Sequence, residues 1–278
     1  MRIATWNVNS LKARLDKVRW WLERTRPDVL LMQETKLADA AAPVAEFRAA
    51  GYELAHHGEG RWNGVAIASR VGLTDVVRNF GEPLRPAETS EVGDDEPLAE
   101  ARIVAATCGG VRVASLYAPN GRAVGSSFYE AKLAWYERLA GWLARTADPA
   151  EALVLGGDFN LAPEDKDVWD PRACHGGTHV SPLERQAFQT LLDVGMADTV
   201  RPLVPSGYTY WDYKQLRFPR NEGLRIDFIL GSHPFADAVT GAAIHRNERK
   251  GEIPSDHVPV VVDLDFAAED DDDRPMFW

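Results

Sequence analysis

The stretch LVLGGDFN, residues 153–160, runs from three aliphatic side chains through two glycines to Asp158 and Asn160. A short apolar run that stops at turn-forming residues is typical of a buried strand. Because side chains two positions apart on a strand point to the same face, Asp158 and Asn160 can address one ligand. Gly156 and Gly157 remove side-chain bulk beside the carboxylate, which lets a substrate or another backbone approach closely. The alternative is an ordinary polar turn, the more frequent origin of Asp and Asn at strand ends.

Seven further apolar segments bounded by turn residues predict additional buried strands. They are RIATWN, DVLLMQET, NGVAIASR, ARIVAATC, VRVASLYAPN, LRIDFILGS and PVVVDLDF. Helical periodicity predicts one helix in LDKVRWWLERTR, which ends before Pro27, and another over residues 126–146. A third helix begins at Ser181, where Glu184 is placed to complete a capping box. Because no repeat or Gly/Ser linker divides the chain, we predict one domain over residues 1–266, with two sheets covered by helices.

The net charge of −11 is unevenly distributed along the 278 residues. Residues 82–100 hold seven acids and one Arg, and residues 267–278 hold five acids and one Arg, so the remainder is almost neutral. We interpret the second segment as an acidic, disordered C-terminal tail whose partner is unknown. Residues 214–225 and 245–250 are locally basic, and such patches bind phosphates even on an acidic protein, although solvated loops have the same composition. The acidic total therefore does not exclude a nucleic-acid partner.

The sequence shows no membrane or secretion signal. It contains no run of 18 or more apolar residues, no signal-peptide pattern and only two cysteines, Cys108 and Cys174. These features predict a protein with no membrane partner and no disulfide framework, which works in a reducing cytoplasm.

Polar side chains of types that bind metal or phosphate follow six of the predicted strands. They are Asn7, Asn9, Glu34, Tyr117, Asn120, Asp158, Asn160, Asp227, Asp256 and His257. Each alone is more often a turn former or surface group, and an alternative role for Asp227 is that of a structural partner of Arg225. As a recurring set they indicate metal-assisted hydrolysis of a phosphodiester, because Mg²⁺ prefers carboxylate, water and phosphate oxygens, while Asp activates water and His contacts a phosphoryl oxygen.

Other chemistries find less support in the sequence. CHGGTH at 174–179 brings together Cys174, His175 and His179, but a fourth zinc ligand is missing and the paired glycines indicate a loop. Neither a G-x-x-x-x-G-K-[ST] loop nor a G-x-S-x-G elbow occurs, which disfavours nucleotide-driven and serine-esterase mechanisms.

The segments TWNVNS, LMQETK, YAPNGR, GGDFN, LRIDF and SDH, in this order, closely resemble the exonuclease III family of abasic-site endonucleases, within the endonuclease/exonuclease/phosphatase superfamily. The resemblance covers about residues 1–266. GDxN and SDH are shared across the superfamily, whereas QETK, YTYWDY and GLRIDF are typical of the DNA-repair branch. The resemblance implies an α/β (α+β) fold, a four-layered α/β sandwich of two packed mixed β-sheets flanked by helices.

The resemblance also implies a metal site. Glu34 matches the principal Mg²⁺ ligand, with Mn²⁺ as an alternative ion, and Asn7 and Asp256 match residues close to the metal or its waters. Asn9 stands where some members have Asp, and we count it among the residues that contact the substrate.

Five matching residues carry the expected catalysis. Asp158 activates the attacking water or protonates the leaving group, and Asn160 holds the phosphate or the nucleophile. His257, oriented by Asp227, binds a non-bridging oxygen of the scissile phosphate. Tyr117 donates to the phosphate or assists the leaving group.

Five other residues are candidate DNA contacts. Asn120 and Arg122 follow Tyr117 on the loop that family members place against DNA. Tyr210, Trp211 and Leu224 are expected to build the pocket for an extruded abasic sugar, although Trp211 is equally interpretable as a core aromatic.

The leading hypothesis is a monomeric, Mg²⁺-dependent DNA-repair phosphodiesterase. It incises double-stranded DNA 5′ of abasic sites and processes blocked 3′ ends through 3′-phosphodiesterase or 3′→5′ exonuclease activity. One alternative is a phosphoinositide or phospholipid hydrolase of the same superfamily, and another is a non-catalytic DNA-binding protein.

Overall fold

The computed structural model describes residues 1–81 and 101–266. The acidic segments 82–100 and 267–278, including the predicted tail, lie outside the described residues. The strands are β1 (Arg2–Asn7), β2 (Val29–Gln33), β3 (Glu53–His57), β4 (Val65–Ser69), β5 (Thr74–Arg78), β6 (Ile103–Cys108), β7 (Val111–Tyr117), β8 (Leu153–Asp158), β9 (Ala197–Asp198), β10 (Asp227–Gly231), β11 (Val239–Ile244) and β12 (Val260–Leu264). The helices are α1 (Leu11–Thr25), α2 (Val44–Ala49), α3 (Ser127–Thr146), α4 (Pro171–Cys174), α5 (Pro182–Asp193), α6 (Arg217–Arg220) and α7 (His233–Asp237).

The described strands form two mixed sheets of six strands each. The first sheet has the order β11-β12-β1-β2-β4-β3, and the second has the order β5-β6-β7-β8-β10-β9. β1 runs parallel to β2 and β7 runs parallel to β8, whereas β12 and β10 are antiparallel to their neighbours β1 and β8. The carboxyl ends of four central strands and the starts of β10 and β12 therefore meet at one end of the molecule.

Three apolar clusters separate four layers. Ile3, Leu31, Val113, Val154 and Ile229 belong to the cluster between the two sheets. The outer face of the first sheet packs on α1 and α2 through the cluster that includes Trp6, Trp21, Met32 and Phe47. The outer face of the second sheet packs on α3 and α5 through the cluster that includes Leu116, Leu139, Phe188 and Phe228. This arrangement confirms the predicted four-layered α/β sandwich.

The eight strands predicted from the sequence all occur. α1 ends two residues before Pro27, and its cap Arg26 is left-handed (φ 48°) with its N–H donating to the carbonyl of Leu22. The capping box of Ser181 and Glu184 at the start of α5 is also present. The prediction missed β3, β5, β9 and β11, because these edge strands are short, half-exposed or carry polar and small residues. No helix among the described residues combines the length and the apolar character needed to cross a bilayer.

The two glycines of LVLGGDFN have a packing role. A Cβ on Gly157 would lie 1.9 Å from the carbonyl oxygen of Leu116 in β7, and one on Gly156 would lie 2.5 Å from Cδ1 of Leu31 in the opposite sheet. The close approach is therefore to another backbone and to the facing sheet, and the alternative in which these glycines admit a substrate is wrong. They allow β8 to lie deep enough to carry Asp158 into the site.

We expect Gly157→Ala to lower the free energy of unfolding by roughly 3 kcal/mol, because the added methyl overlaps a backbone atom that cannot rotate away. Gly141→Ala on α3 is the matched control, since the nearest atom to its Cβ is the mobile head of Arg145, 3.3 Å away. That variant should be as stable as the parent, or more stable by about 0.5–1 kcal/mol. Urea unfolding of both variants tests this, and equal midpoints for Gly157→Ala and the parent would contradict it.

Candidate active site

Side chains at the shared end of the strands form one buried polar cluster. Tyr117, Asp158 and Asp227 are paired across three adjacent strands of the second sheet. Asn7, at the end of β1 in the first sheet, donates from Nδ2 to Oε1 of Glu34 and to Oδ2 of Asp158, both at 2.9 Å. Its Oδ1 accepts the backbone N–H of Asn9 at 3.0 Å, which fixes the orientation of the carboxamide. The sequence-predicted residues thus converge through one amide that bridges the two sheets.

Glu34 lies just after β2 on a backbone with φ 50°, an unfavourable conformation for this residue type. Lys36 Nζ contacts Glu34 Oε2 at 2.9 Å and Asn9 Oδ1 at 2.5 Å. Asn9 in turn donates to Asp256 Oδ1 at 2.9 Å. Burial acts to raise the pKa of Glu34, but the charge of Lys36 and the donors Lys36 and Asn7 outweigh it and lower the pKa. Glu34 is therefore a carboxylate at neutral pH.

A chain of hydrogen bonds from Thr35 through His56 to Asp39 supports the loop that carries Glu34. Thr35 Oγ1 lies 2.8 Å from Nε2 of His56, and the Nδ1 of His56 lies 2.7 Å from Oδ1 of Asp39. The N–H of Thr35 also donates to the carbonyl of Gly64 at 3.1 Å. These contacts hold the strained turn that presents Glu34.

His257 is oriented by Asp227. Its Nδ1 lies 2.9 and 3.1 Å from the two carboxylate oxygens of Asp227, and its Nε2 lies 3.6 Å from Asp158 Oδ2. Burial acts to lower the pKa of His257, but the carboxylates of Asp227 and Asp158 outweigh it and raise the pKa to about 10. His257 is thus an imidazolium at neutral pH. Arg225 pairs with Asp167 and Asp198, so Asp227 is not its structural partner.

Asp158 has the most strongly perturbed carboxyl pKa of the cluster. Its side chain is buried, and burial raises the pKa to about 7, with the charge of His257 opposing the rise. Oδ1 accepts the backbone N–H of Asn160 at 2.9 Å, while Oδ2 accepts from Asn7. A carboxyl that gains or loses its proton near neutral pH is suited to general acid or base catalysis.

Asn160 and Asn120 form the next layer of amides. Asn160 Nδ2 donates to the carbonyl of Ala118 at 2.8 Å, and its Oδ1 accepts from Asn120 Nδ2 at 3.2 Å. Tyr117 precedes this loop, and burial followed by the charge of Glu34 raises its pKa well above the usual value. Tyr117 is therefore a neutral O–H donor. Arg122, on the same exposed loop, lies with its guanidinium 3.4 Å from the ring centroid of Phe128.

The predicted sugar pocket needs one correction. The ring of Tyr210 lies 4.8 Å from the ring of His257, and the backbone of Tyr210 forms an isolated antiparallel β-bridge with that of the half-buried Leu224. Trp211 has no exposed surface and packs edge-on against Phe218 at 5.1 Å, so it supports the pocket from the core and does not contact a substrate. Because neighbouring side chains of an extended segment point to opposite sides, Trp211 points into the core where Tyr210 points toward His257.

The remaining candidate ligands do not form a second metal site. CHGGTH spans the end of α4 and a loop, as predicted, and His179 Nδ1 contacts the carbonyl of Asn160. Within the described ranges, the group of metal-ligand atoms that converge is that of Glu34, Asp158 and His257, which lie within 4.8 Å of one another. Because His257 is protonated, the carboxylates are the usable donors, and oxygen donors fit a hard divalent cation such as Mg²⁺. Asp256 is linked to this group by Asn9, which donates from Nδ2 to Asp256 and from its backbone N–H to Asn7.

The chain matches one family model and proteins of known activity over most of its length. The family model described as endonuclease/exonuclease/phosphatase matches residues 4–257. Exodeoxyribonuclease III of Haemophilus influenzae is 30% identical over 274 residues, which cover 94% of this chain and 98% of that protein. The AP endonuclease from Archaeoglobus fulgidus superposes with a TM-score of 0.86 at 36% identity and covers 95% of this chain and 99% of its own. The 3′ phosphatase NExo from Neisseria, bound to a product DNA hairpin, gives 0.86 at 38% identity with the same coverage.

The chain therefore belongs to the endonuclease/exonuclease/phosphatase family. Within that family it is a hydrolytic DNA-repair nuclease of the exodeoxyribonuclease III type. Nucleases of this family depend on a metal ion, and the carboxylates beside Asn7 are the candidate ligands.

Three functional neighbours were missed from the sequence. Lys36 is the partner of Glu34, and its place in QETK was the available signal. Lys132 lies fully buried on the apolar face of α3. The available signal was a lysine at a position where the helical periodicity predicts an apolar residue. His56 braces the Glu34 loop from β3, an edge strand that the apolar pattern did not reveal.

Replacing Asp227 should shift the titration of His257 toward lower pH. Asp227→Asn removes the carboxylate that does most to offset the effect of burial, so the imidazolium loses its proton at lower pH than in the parent protein. Histidine-detected NMR titration of the metal-free protein measures the shift. Asp237→Asn, an exposed change on α7 at the far end of β10, is the control. An unchanged midpoint for His257 in Asp227→Asn would refute the orienting pair.

Proposed function

We propose that this protein is a Mg²⁺-dependent endonuclease that incises duplex DNA on the 5′ side of abasic sites and also processes blocked 3′ ends. The observation that carries the proposal is the convergence on Asp158. Its two oxygens accept from Asn7 and Asn160, it faces the His257 imidazolium, and Glu34 shares the Asn7 amide. A proton-exchanging carboxyl between a metal ligand and a phosphate-binding cation is suited to hydrolysis of a phosphodiester.

Each residue of the cluster has a role in this reaction. Glu34, with Asn7 and Asp256 nearby, would hold Mg²⁺, which when bound neutralises charge on the scissile phosphate. His257 donates Nε2–H to a non-bridging phosphoryl oxygen, held by its contact with Asp227. The carboxamides of Asn160 and Asn120 orient the phosphate from the other side.

We assign the general-base role to Asp158. Both of its oxygens already accept N–H groups, and donors of this kind favour the ionised form that can take a proton. A water oxygen attacks phosphorus, its proton passes to Asp158, and the bond to the 3′ oxygen of the preceding nucleotide breaks. Tyr117, a neutral hydroxyl, donates to that departing oxygen.

Selection of an abasic nucleotide is supported by the wall beside His257. The ring of Tyr210 lies 4.8 Å from the ring of His257, and Tyr210 forms isolated β-bridges with both Leu224 and His257. A nucleotide without a base costs less to extrude from the duplex than an intact one, and the ring face of Tyr210 and the aliphatic side chain of Leu224 offer a base no hydrogen-bond partner. The same site accepts a 3′ end, and the 38% identical relative NExo is described as a 3′ phosphatase.

The decisive assay uses a duplex oligonucleotide with one tetrahydrofuran abasic analogue. We expect a single nick 5′ of the analogue that requires Mg²⁺ or Mn²⁺ and is stopped by a chelator, and no nick in the matched intact duplex. A 3′-phosphate duplex and a phosphoinositide are assayed in parallel. Hydrolysis of the phosphoinositide without any cut in the DNA substrates would overturn the proposal.

Asp158→Ala should abolish nicking by at least about 10³-fold while DNA affinity changes little, because the lost group acts on the water and not on the duplex. Gel-shift titration gives the affinity, and single-turnover kinetics give the rate. Asp237→Ala, an exposed acid at the opposite end of the molecule, is the matched control. A rate for Asp158→Ala near that of the parent would show that the role is misassigned.

A further inference from the structure

The carbonyl of Asn160 is held by two side chains that the reaction scheme above does not use. Lys132 Nζ donates to this oxygen at 2.6 Å, and His179 Nδ1 contacts the same atom. Asn160 itself has φ 51°, a left-handed backbone that Asn tolerates better than most residues. The contacts to its carbonyl therefore fix the orientation of the residue within a backbone region it can adopt, and do not offset strain.

Lys132 reaches this carbonyl from the interior of the protein. Its side chain has no exposed surface, and its three ammonium hydrogens have three acceptors. These are the carbonyl of Asn160 at 2.6 Å, the carbonyl of Asn120 at 3.2 Å and Glu184 Oε1 at 2.5 Å. One buried cation therefore ties together the two loops that carry the phosphate-directed amides.

Glu184 links this cation to the turn that carries His179. Its Oε1 accepts the backbone N–H of His179 at 2.9 Å and the hydroxyl of Thr178 at 2.8 Å. Its Oε2 accepts from Ser181 in the capping box of α5. The carboxylate thus fixes both Lys132 and the backbone of His179 relative to α5.

The tautomer of His179 follows from its partner. A carbonyl oxygen only accepts, so Nδ1 must carry the proton that it donates to Asn160. Burial, followed by the charge of Lys132, lowers the pKa of His179 to about 4, so the ring is neutral. His179 also has a left-handed backbone, φ 80°, which places its ring against Asn160.

We propose that Lys132 and His179 are positioning residues of the nuclease, which hold the Asn160 backbone so that its carboxamide and its N–H meet the phosphate and Asp158. The proposal rests on the role given to Asn160 in the proposed function. Asn160 donates its N–H to Asp158 Oδ1 at 2.9 Å, so a rotation of this residue would disturb two catalytic contacts at once. The competing explanation is that Lys132 and Glu184 only join α3 to α5.

Two substitutions of His179 separate these explanations, because they leave the Lys132–Glu184 pair intact. His179→Gly deletes the donor without adding backbone strain, and His179→Asn restores an N–H close to the position of Nδ1 on a residue that tolerates positive φ. We expect His179→Gly to lower kcat about 10- to 100-fold with little change in KM or melting temperature. His179→Asn should recover most of the lost rate. A parental kcat for His179→Gly, or an Asn variant no faster than the Gly variant, would overturn the role of His179.

The Lys132 contribution is tested with both charges removed together, as Lys132→Met/Glu184→Gln, to avoid leaving a lone buried carboxylate. We expect a comparable loss of kcat in the folded double variant, and a sub-additive loss when His179→Gly is added, because both act on one carbonyl. Arg2→Met, which breaks the Arg2–Asp263 pair at the opposite end of β1, controls for stability loss. A folded double variant with parental kcat would support the purely structural explanation.

Failure of this proposal is distinguishable from failure of the proposed function. Each variant is compared with the parent on the abasic duplex and on the 3′-phosphate duplex. If the parent cuts only the second substrate, abasic specificity is wrong, while the ratio of variant to parent on that substrate still tests the positioning of Asn160.

Discussion

One carboxamide joins the two halves of the candidate catalytic cluster. Asn7 belongs to the first sheet and has no exposed surface, yet its Nδ2 reaches Glu34 beside it and Asp158 in the second sheet. Both hydrogen bonds go to carboxyl oxygens, and such a bond is stronger to the ionised form than a contact between neutral groups. The distance between the sheets therefore decides whether Glu34, the proposed metal ligand, and Asp158 can share one donor. The glycines of β8 matter for the same reason, because they set how closely that strand approaches its neighbours.

The protonation states of the groups around Asn7 depend on their burial and on their distances from one another. Asp158 and Asp227 are paired on adjacent strands, and two buried carboxylates this close favour protonation of one of them. His257 relieves that repulsion as an imidazolium, and Asp227 keeps its Nδ1 occupied so that Nε2 faces Asp158. The result is a division of roles among similar groups. Asp227 orients the imidazole through Nδ1, while burial raises the pKa of Asp158 to about 7, where it can exchange a proton at neutral pH.

The sequence predicted the fold, and it picked out most of the side chains that the structure brings together in the candidate site, for one physical reason. Central strands are buried on both faces, so they appear as apolar runs, and any polar residue at their ends stands out. Asn7, Glu34 and Asp158 were found in this way. Edge strands such as β3 lack that contrast, so the bracing His56 was missed. Trp211 was ambiguous because an aromatic residue beside a pocket and one beneath it have the same sequence signature, and only the packing on Phe218 decides between them.

Lys132 shows why the supporting layer of a site is harder to predict than the reacting groups. A buried ion pair gives little net stability, because removing two charges from water costs about as much as their attraction returns. An apolar pair between α3 and α5 would hold those helices equally well. What an apolar pair could not supply is a donor to the carbonyls of Asn120 and Asn160, two loops that no strand pairing connects at that point. The burial of Lys132 is therefore better explained by the need to hold those two loops than by the stability of the sandwich. Contacts between loops follow no periodic pattern in the sequence, so a residue that makes them cannot be recognised from its spacing.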